Sequence, residues 1–575
     1  MECMHSLGID VGGTFTDGVL IELPGKAILR AAKVPTDQDD LAGSVLKCFS
    51  ALAIPAPALM SRFCISTTLA TNAMVEGIKK DVCAICIGLT PKRPIAYANE
   101  VVVVDGGHDP SGLESCQPDL AKLKAAMAYI KSSSFAISAR FGVRNPDHEV
   151  KASNEVLAAR PNATVVRGSD LVGILGMEER LFLAAKNAEL IHLMKGLIGA
   201  IGSVSKAPVS STYVLKGDGS LVSTEEAALR PIMTVLSGPA ASATGGAVLT
   251  ESRNALVVDI GGTTTDISLV VDGHVRLAKD GVIVGGSRLR VPAVDITTIA
   301  LGGNTEIFFK DGRPKLGYRA VRPLCLAPDA PRLMRDRSFL LSMSGKVFGI
   351  TPTDLFRAKG RSDYGDKKVA KAALSMFAQE CDLSSIELFE ALEEAIRSRL
   401  LRALSTALTG VALTEGGEAD ALLGGAPHLC TMLRIGVPIV GIGAPIRPFL
   451  DLLKGRVECE IIIPENHEVG NAVGVVCTGV LGRKEIVVRC EPQMVQGEEV
   501  LAYNVTTPDG QRSFADRKMA VEFAADVGSS ELHECMKRSR ARRYETKVVA
   551  RDVTYLECGV IEVAETVVTV TAEEL

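Results

Sequence analysis

The chain has 575 residues, 47% of them hydrophobic, which is too long for one core and supplies material for two or three. A formal net charge of -5 gives no electrostatic footprint for nucleic acid and no polybasic patch for a membrane, and no apolar run reaches the length of a bilayer span. The fourteen cysteines are scattered through apolar stretches and no signal-peptide core opens the chain, so the sequence reads as a cytoplasmic protein with reduced thiols.

Alternating Leu7, Ile9 and Val11 predict a first strand, which Asp10-Val-Gly-Gly-Thr-Phe-Thr-Asp17 breaks with a Gly-Gly-Thr turn. Residues 18–23 predict the return strand, closed by Pro24-Gly25. A third strand follows over 28–34. Leu41, Val45, Cys48, Phe49 and Leu52 then fall at helical spacing behind Thr36 or Asp37 as cap. The stretch 64–77 begins as a strand and becomes a helix at Thr67, Thr68 and Asn72. Hydroxyls and free N–H groups gathered there suit an anion, although ordinary capping accounts for one or two of them. Strands are expected over 81–87 and 100–104. Cys83-Ala-Ile-Cys86 has redox or zinc spacing, but it lies in a buried-strand pattern with no second pair and reads as structural. An amphipathic helix over 118–130 and a strand over 134–139 precede Asn145-Pro-Asp-His148-Glu149, which opens another helix with His148 as a capping or packing residue. A long helix is expected over 178–202.

In the second half, a strand over 212–215 is followed by Ser237-Gly-Pro-Ala-Ala-Ser242, where Ser caps and Pro suits the first turn of a small-residue helix ending at Leu249. Then comes Asp259-Ile-Gly-Gly-Thr-Thr-Thr-Asp266. It differs from the first octapeptide only at Ile260 and Thr264, and it too sits between β-like runs, 255–258 and 267–271. Residues 290–301 end in Gly302-Gly303-Asn304. The stretch 310–344 is rich in Pro, Arg and Asp and reads as irregular; 365–409 reads as mainly helical. A strand from Ala419 ends in the turn Gly424-Gly425-Ala-Pro427, and residues 464–474 open the last helix of the main body. From about 487 the pattern changes to β-runs around one helix near 516–540. Its basic run Lys537, Arg538, Arg540, Arg542, Arg543 is a solvated helix face. The expected organisation is therefore an N-terminal lobe over 1–205, a second lobe over 206–486 and a small α+β domain over 487–575.

The duplicated octapeptide carries the chemistry. A Gly-Gly-Thr turn lets backbone N–H groups approach an anion with no Cβ in the way. An Asp just before the glycines repels phosphate, but it can hold a Mg²⁺ ion that binds phosphate in turn. Gly12, Gly13, Thr14 and Thr16, with Gly261, Gly262, Thr263 and Thr264, would cradle phosphates; Asp10 and Asp259 would hold the metal and act in catalysis. Gly424 and Gly425 at a strand end would take the base and ribose edge. Asp17 and Asp266 have two readings, one catalytic and one as hydrogen-bonding anchors of their own turns.

This pattern resembles the actin-like ATPase superfamily, an α/β two-lobed fold related to ribonuclease H that also includes sugar kinases and heat-shock chaperones. A closer resemblance is to the A-subunit type of the hydantoinase/oxoprolinase family. GIDVGGTFTDGVLIE, ISTTLATNAMVEG, NPDHE, LSGPAASATGGAVL and VVDIGGTTTDISLV match its signatures in order, and VPAVDI from Val291 continues them. The resemblance implies ATP and Mg²⁺ as cofactors and a small cyclic amide, such as a hydantoin or 5-oxoproline-like lactam, as substrate. It implies phosphorylation of the amide oxygen before hydrolysis, an oligomer, and a B-type partner subunit. Thr67, Thr68 and Asn72 would line the cleft. The rival readings are a nucleotide-switched ATPase that remodels a partner protein and a small-molecule kinase.

Overall fold

Met4–Val11 and Phe15–Leu23 form an antiparallel hairpin in which Asp10 stands opposite Asp17 and Val11 opposite Thr16. Ala255–Ile260 and Thr265–Val271 repeat it, with Asp259 opposite Asp266 and Ile260 opposite Thr265. The strand-turn-strand reading of both octapeptides is met, and the strands reach further into the octapeptides than expected: the return strands start at Phe15 and Thr265, and the first strand of the second hairpin runs on to Ile260. The computed structural model describes residues 4–574 apart from 24, 55–59, 78–80, 93, 111, 205–210, 328–339, 344, 414–430, 496–497, 508–509, 540, 542 and 558–559.

Contacts divide the chain into two discontinuous units. One comprises Met1–Ala58, Ser237–Lys279 and Val294–Cys477; the other comprises Leu59–Leu236, Asp280–Ala293 and Thr478–Leu575. These do not follow the divisions expected after 205 and 486. Both octapeptides fall in the same unit.

In the first unit the return strand of the first hairpin pairs with Ala27–Pro35. The second hairpin sits in a larger sheet. Its return strand pairs with Ile296–Ile299, and its first strand takes Ile439–Ile442 in parallel, followed by Ile461–Ile462. Val19 and Ile21 pack on Val469 and on Ala472, Val473 and Val476 of the helix Gly470–Cys477. Ala243 and Ala247 of the helix Ser237–Leu249 pack on Val257, Val270 and Val440. Each hairpin therefore has its own helix, and the two helices meet backbone to backbone. A Cβ on Gly245 would lie 1.8 Å from the Gly470 carbonyl, and one on Gly474 would lie 1.9 Å from the Ala241 carbonyl. Only glycine permits that approach. The 365–409 stretch is helical as expected, Lys367–Glu380 behind the cap Asp366 and Ser385–Thr409 behind a Ser384/Glu387 capping box.

The stretch beginning at Lys310 is not irregular throughout. Thr305–Lys310 and Arg313–Ala320 form a hairpin across Asp311-Gly312, both at positive φ (54° and 74°). An Asp-Gly pair of this kind is a strong hairpin signal, hidden here among charged residues and prolines.

The second unit holds an all-parallel sheet of Glu100–Val104, Val82–Ile87, Ser134–Ala139 and Thr164–Arg167. Its central strands are buried along their whole length, which is why VCAICI reads as a continuous apolar run. Cys83 and Cys86 lie there with their thiols pushed up to about 12 by burial, so the structural reading holds. Helix Met177–Val204 matches the expected long helix. The C-terminal residues form a five-stranded antiparallel sheet with helix Arg517–Arg538 packed on it. That sheet is tied into its unit by Glu565, which accepts from Arg144 at 2.8 Å, and by Leu221 N–H on the Gly479 carbonyl. Among the described residues no helix is long and apolar enough to cross a membrane.

Candidate functional site

Each turn is closed by one short-range bond, Gly12 N–H to Phe15 O at 3.1 Å and Gly261 N–H to Thr264 O at 3.0 Å. Among the described residues the next two amides of each turn, those of Gly13 and Thr14 and of Gly262 and Thr263, take no acceptor. Thr14 and Thr263 are exposed at the tips. Thr16, grouped with the phosphate ligands on sequence, faces inward instead. It is fully buried, and its hydroxyl lies 2.9 Å from that of Thr36. Its position directly opposite Val11 in the ladder turns it to the core side.

Behind the first turn the carboxylates are held by residues from distant parts of the chain. Asn471 Nδ2 donates to Asp10 Oδ2 at 2.6 Å and to Asp17 Oδ2 at 3.0 Å. Lys33 Nζ donates to both Asp17 oxygens, at 2.7 and 2.9 Å, and to the Glu468 carbonyl at 3.0 Å. Asp10 and Asp17 are each only 3% exposed. Burial raises the Asp17 pKa above its ordinary value, against the opposing pull of Lys33 and Asn471. These contacts run to Lys33 and Asn471, not to the turn of Asp17 itself as its anchoring reading has it.

The second turn has its own supports. Ser242 Oγ donates to Asp259 Oδ2 at 2.6 Å, and Thr298 Oγ1 donates to Asp266 Oδ1 at 2.7 Å. Desolvation raises both carboxyl pKa values, that of Asp266 to about 7. Gly303 and Asn304 lay their N–H groups on the carbonyls of Gly261 and Gly262, at 3.1 and 2.7 Å, so the Gly302-Gly303-Asn304 turn braces the second phosphate turn.

The expected base-binding turn at Gly424 and Gly425 lies outside the described residues. A second Gly-Ala-Pro turn, Gly441-Ile-Gly443-Ala-Pro445, stands at the end of the strand parallel to Ala255–Ile260, with Ile442 beside Asp259. Gly443 has φ +94°, and a Cβ there would lie 2.2 Å from Ile260 O and 2.8 Å from Asp259 Oδ1. His467 closes the turn on both sides: its carbonyl accepts Gly443 N–H at 2.9 Å, and its Nδ1 donates to Gly443 O at 3.0 Å. Sequence reasoning passed over this turn, although its Gly-Ala-Pro repeats that of 425–427.

Thr67, Thr68 and Asn72 lie in the other unit, at the start of Leu69–Glu76. Thr67 Oγ1 accepts Leu69 N–H at 3.1 Å, and Thr68 Oγ1 accepts from Asn72 Nδ2 at 3.3 Å. His148 is fully buried with its Nδ1 accepting Gly107 N–H and its Nε2 against Glu114, which is a packing role.

Two Asp-X-Gly-Gly-Thr hairpins, each with its own helix and one set in a sheet extended by parallel strands, define an actin-like ATPase fold. The "Hydantoinase/oxoprolinase N-terminal region" matches residues 6–159 and "Hydantoinase/oxoprolinase" matches residues 184–328; the chain belongs to this family. It is 27% identical to the caprolactamase subunit alpha of Pseudomonas jessenii over 353 residues, covering 55% of this chain and 51% of that protein. It is 25% identical to the acetophenone carboxylase gamma subunit of Aromatoleum aromaticum over 444 residues, covering 67% and 58%. The chain thus spans about half the length of these curated relatives. The solved structure of the ATP-dependent caprolactamase from Pseudomonas jessenii is similar over 99% of this chain and 87% of that one, with a TM-score of 0.68 at 18% identity.

Proposed function

We propose that this chain is an ATP-dependent hydrolase subunit that activates a small cyclic amide by phosphorylation. The observation that carries the reading is the paired hairpin: two equivalent turns offering free amides, each followed inward by an anchored carboxylate, within one contact unit. Similarity to a caprolactamase subunit supports the amide as substrate.

The donors fit Mg²⁺. Asp10 and Asp259 present carboxylate oxygens, the hard ligands that this ion takes alongside water and phosphate. When bound, the ion would neutralise phosphate charge. The residues of the chain do the remaining work. Asn471 and Ser242 fix the orientation of Asp10 and Asp259. The amides of Gly13, Thr14, Gly262 and Thr263 donate to phosphate oxygens, and the Thr14, Thr263 and Thr264 hydroxyls add donors at the rims. Gly443 lets the chain turn close against Ile260 O and Asp259 Oδ1, and the nucleoside edge would lie at this turn, a role first assigned to Gly424 and Gly425. Phosphoryl transfer asks mainly for positioning and charge stabilisation, and these groups supply both. An amide oxygen carrying phosphate makes the carbonyl carbon electrophilic enough for water. A B-type subunit completes the hydrolysis in this reading.

The test is ADP release with and without a panel of lactams and hydantoins, with product analysis. Amide-stimulated ADP release with a ring-opened product, alone or with a B-type subunit added, is expected. A stable phosphorylated product would make the chain a kinase. Slow turnover indifferent to every amide would make it a nucleotide-switched ATPase.

A further inference from the structure

The two phosphate turns, so alike in sequence, differ in what stands over them. In each, the carbonyl of the second glycine is held by a neighbouring residue. Gly13 O accepts from the side chain of Gln38, Nε2 at 2.5 Å, whereas Gly262 O accepts from the backbone N–H of Asn304 at 2.7 Å. The carboxamide of Gln38 is thereby engaged, and that of Asn304 is left over. A Cβ on Gly13 would meet nothing within 4 Å. One on Gly262 would lie 2.8 Å from Asn304 Nδ2, 3.4 Å from its Cγ and 4.0 Å from its Oδ1. The amino end of the side chain is therefore turned to Gly262 and the carbonyl end away. Asn304 is half-buried, and among the described residues its side-chain amide makes no hydrogen bond.

We propose that Asn304 Nδ2 is a further phosphate donor, adding to the free amides of Gly262 and Thr263 at the second turn. The proposal rests on the phosphate-turn part of the function proposed above, not on the identity of the amide. A half-buried amide without an acceptor lacks the partner that such groups nearly always have, and a phosphate oxygen supplies it. The polarity is right, since the end facing the turn can only donate. The residue is also fixed in place. Its carbonyl accepts Val321 N–H at 2.8 Å, and the Gly303 carbonyl before it accepts the N–H and the hydroxyl of Thr353, at 3.0 and 2.7 Å. All of these residues belong to one contact unit. A donor already positioned in the free protein costs little reorganisation when charge arrives, which is the condition for strong electrostatic stabilisation. The first turn has no counterpart, so the second grips the phosphate tail with one side chain more.

Calorimetric titration of the full chain with Mg-ATP tests this. N304A should bind about tenfold more weakly than the wild type, the loss expected for a hydrogen bond to a charged group. N304D should bind more weakly still, because a carboxylate in that place repels phosphate. Nucleotide-free N304A should melt as the wild type does, since the side chain holds nothing in the free protein. Equal affinity in N304A, N304D binding no worse than N304A, or a lowered melting temperature of nucleotide-free N304A overturns the assignment. The two readings fail separately. If the wild type binds and turns over ATP and N304A matches it, the Asn304 assignment falls while the activity stands. If N304A loses affinity but no amide stimulates wild-type ADP release, the assignment stands and the amide reading falls. A wild type that binds no Mg-ATP overturns both.

Discussion

A single amide nitrogen, Asn471 Nδ2, donates to Asp10 at 2.6 Å and to Asp17 at 3.0 Å across separations of 461 and 454 residues in the sequence. Two buried carboxylates facing each other across a hairpin repel, and the side-chain amide between them offsets that repulsion. N471D adds a third carboxylate at this point. It should abolish nucleotide turnover and lower the melting temperature. N471L removes two hydrogen bonds to carboxylates worth about 1.5–3 kcal/mol each, and turnover should fall by at least about tenfold. If N471D turns over ATP like the wild type, Asn471 does not position Asp10.

The helices that carry Asn471 and Ser242 touch through Gly245 and Gly474. In G245A the new Cβ would sit 1.8 Å from the Gly470 carbonyl, which cannot move without shifting its helix. A loss at the upper end of the 1–3 kcal/mol typical of overpacking, or beyond it, is expected. G238A in the same helix is the control, since nothing lies within 4 Å of its Cβ. Thermal melts of the two variants should separate clearly, with G238A close to the wild type.

Thr16 matched a phosphate ligand by motif, but its hydroxyl is directed to Thr36 in the core. T16V should therefore cost about 1 kcal/mol of stability through the lost hydrogen bond and leave the KM for ATP unchanged. A large rise in KM with an unchanged melting temperature would return Thr16 to the site.

Much of the site was legible in the sequence because it is local. Strand alternation, the Gly-Gly-Thr turn and the repeated Asp residues lie within eight-residue windows, and the structure pairs them as that pattern dictates. What was not legible is what long-range packing adds. Asn471 and Lys33 reach Asp17 from separate elements, and no periodicity links them. Ser242 was visible as part of a helix start, but its bond to Asp259 depends on how that helix lies on the sheet. Gly443 was overlooked because an equivalent Gly-Ala-Pro stood earlier in the chain. The discontinuous units arise because the 280–293 segment and the C-terminal sheet pack with 59–236, a choice that composition does not record.

Asp10 and Asp259 occupy the same place in their two hairpins, so each should contribute to a Mg²⁺-dependent part of ATP affinity. In D10N and D259N, calorimetric titration of ATP should lose at least about tenfold of the affinity gained on adding Mg²⁺, equivalent to about 1.4 kcal/mol. ATP binding in EDTA should change little. Variants that keep the full Mg²⁺ increment would remove these carboxylates from the metal site.

Asp266 gives the chain a pH dependence that can be isolated. Its carboxyl is raised to about 7 by desolvation, with Thr298 opposing and Asp259 reinforcing the shift. In the unfolded chain the group titrates near its ordinary value of about 3.9. Between those values the folded state binds more protons than the unfolded one, so this group's contribution to stability falls as pH rises. The contribution is fully present below about pH 4 and is lost as pH passes through about 7. D266N keeps the shape and a hydrogen-bonding amide without the charge. The difference in melting temperature between wild type and D266N should therefore move against the wild type from pH 4 to pH 8 and flatten above it. A difference that is constant over that range, or that moves in favour of the wild type, would show that Asp266 is ionised in the folded protein throughout.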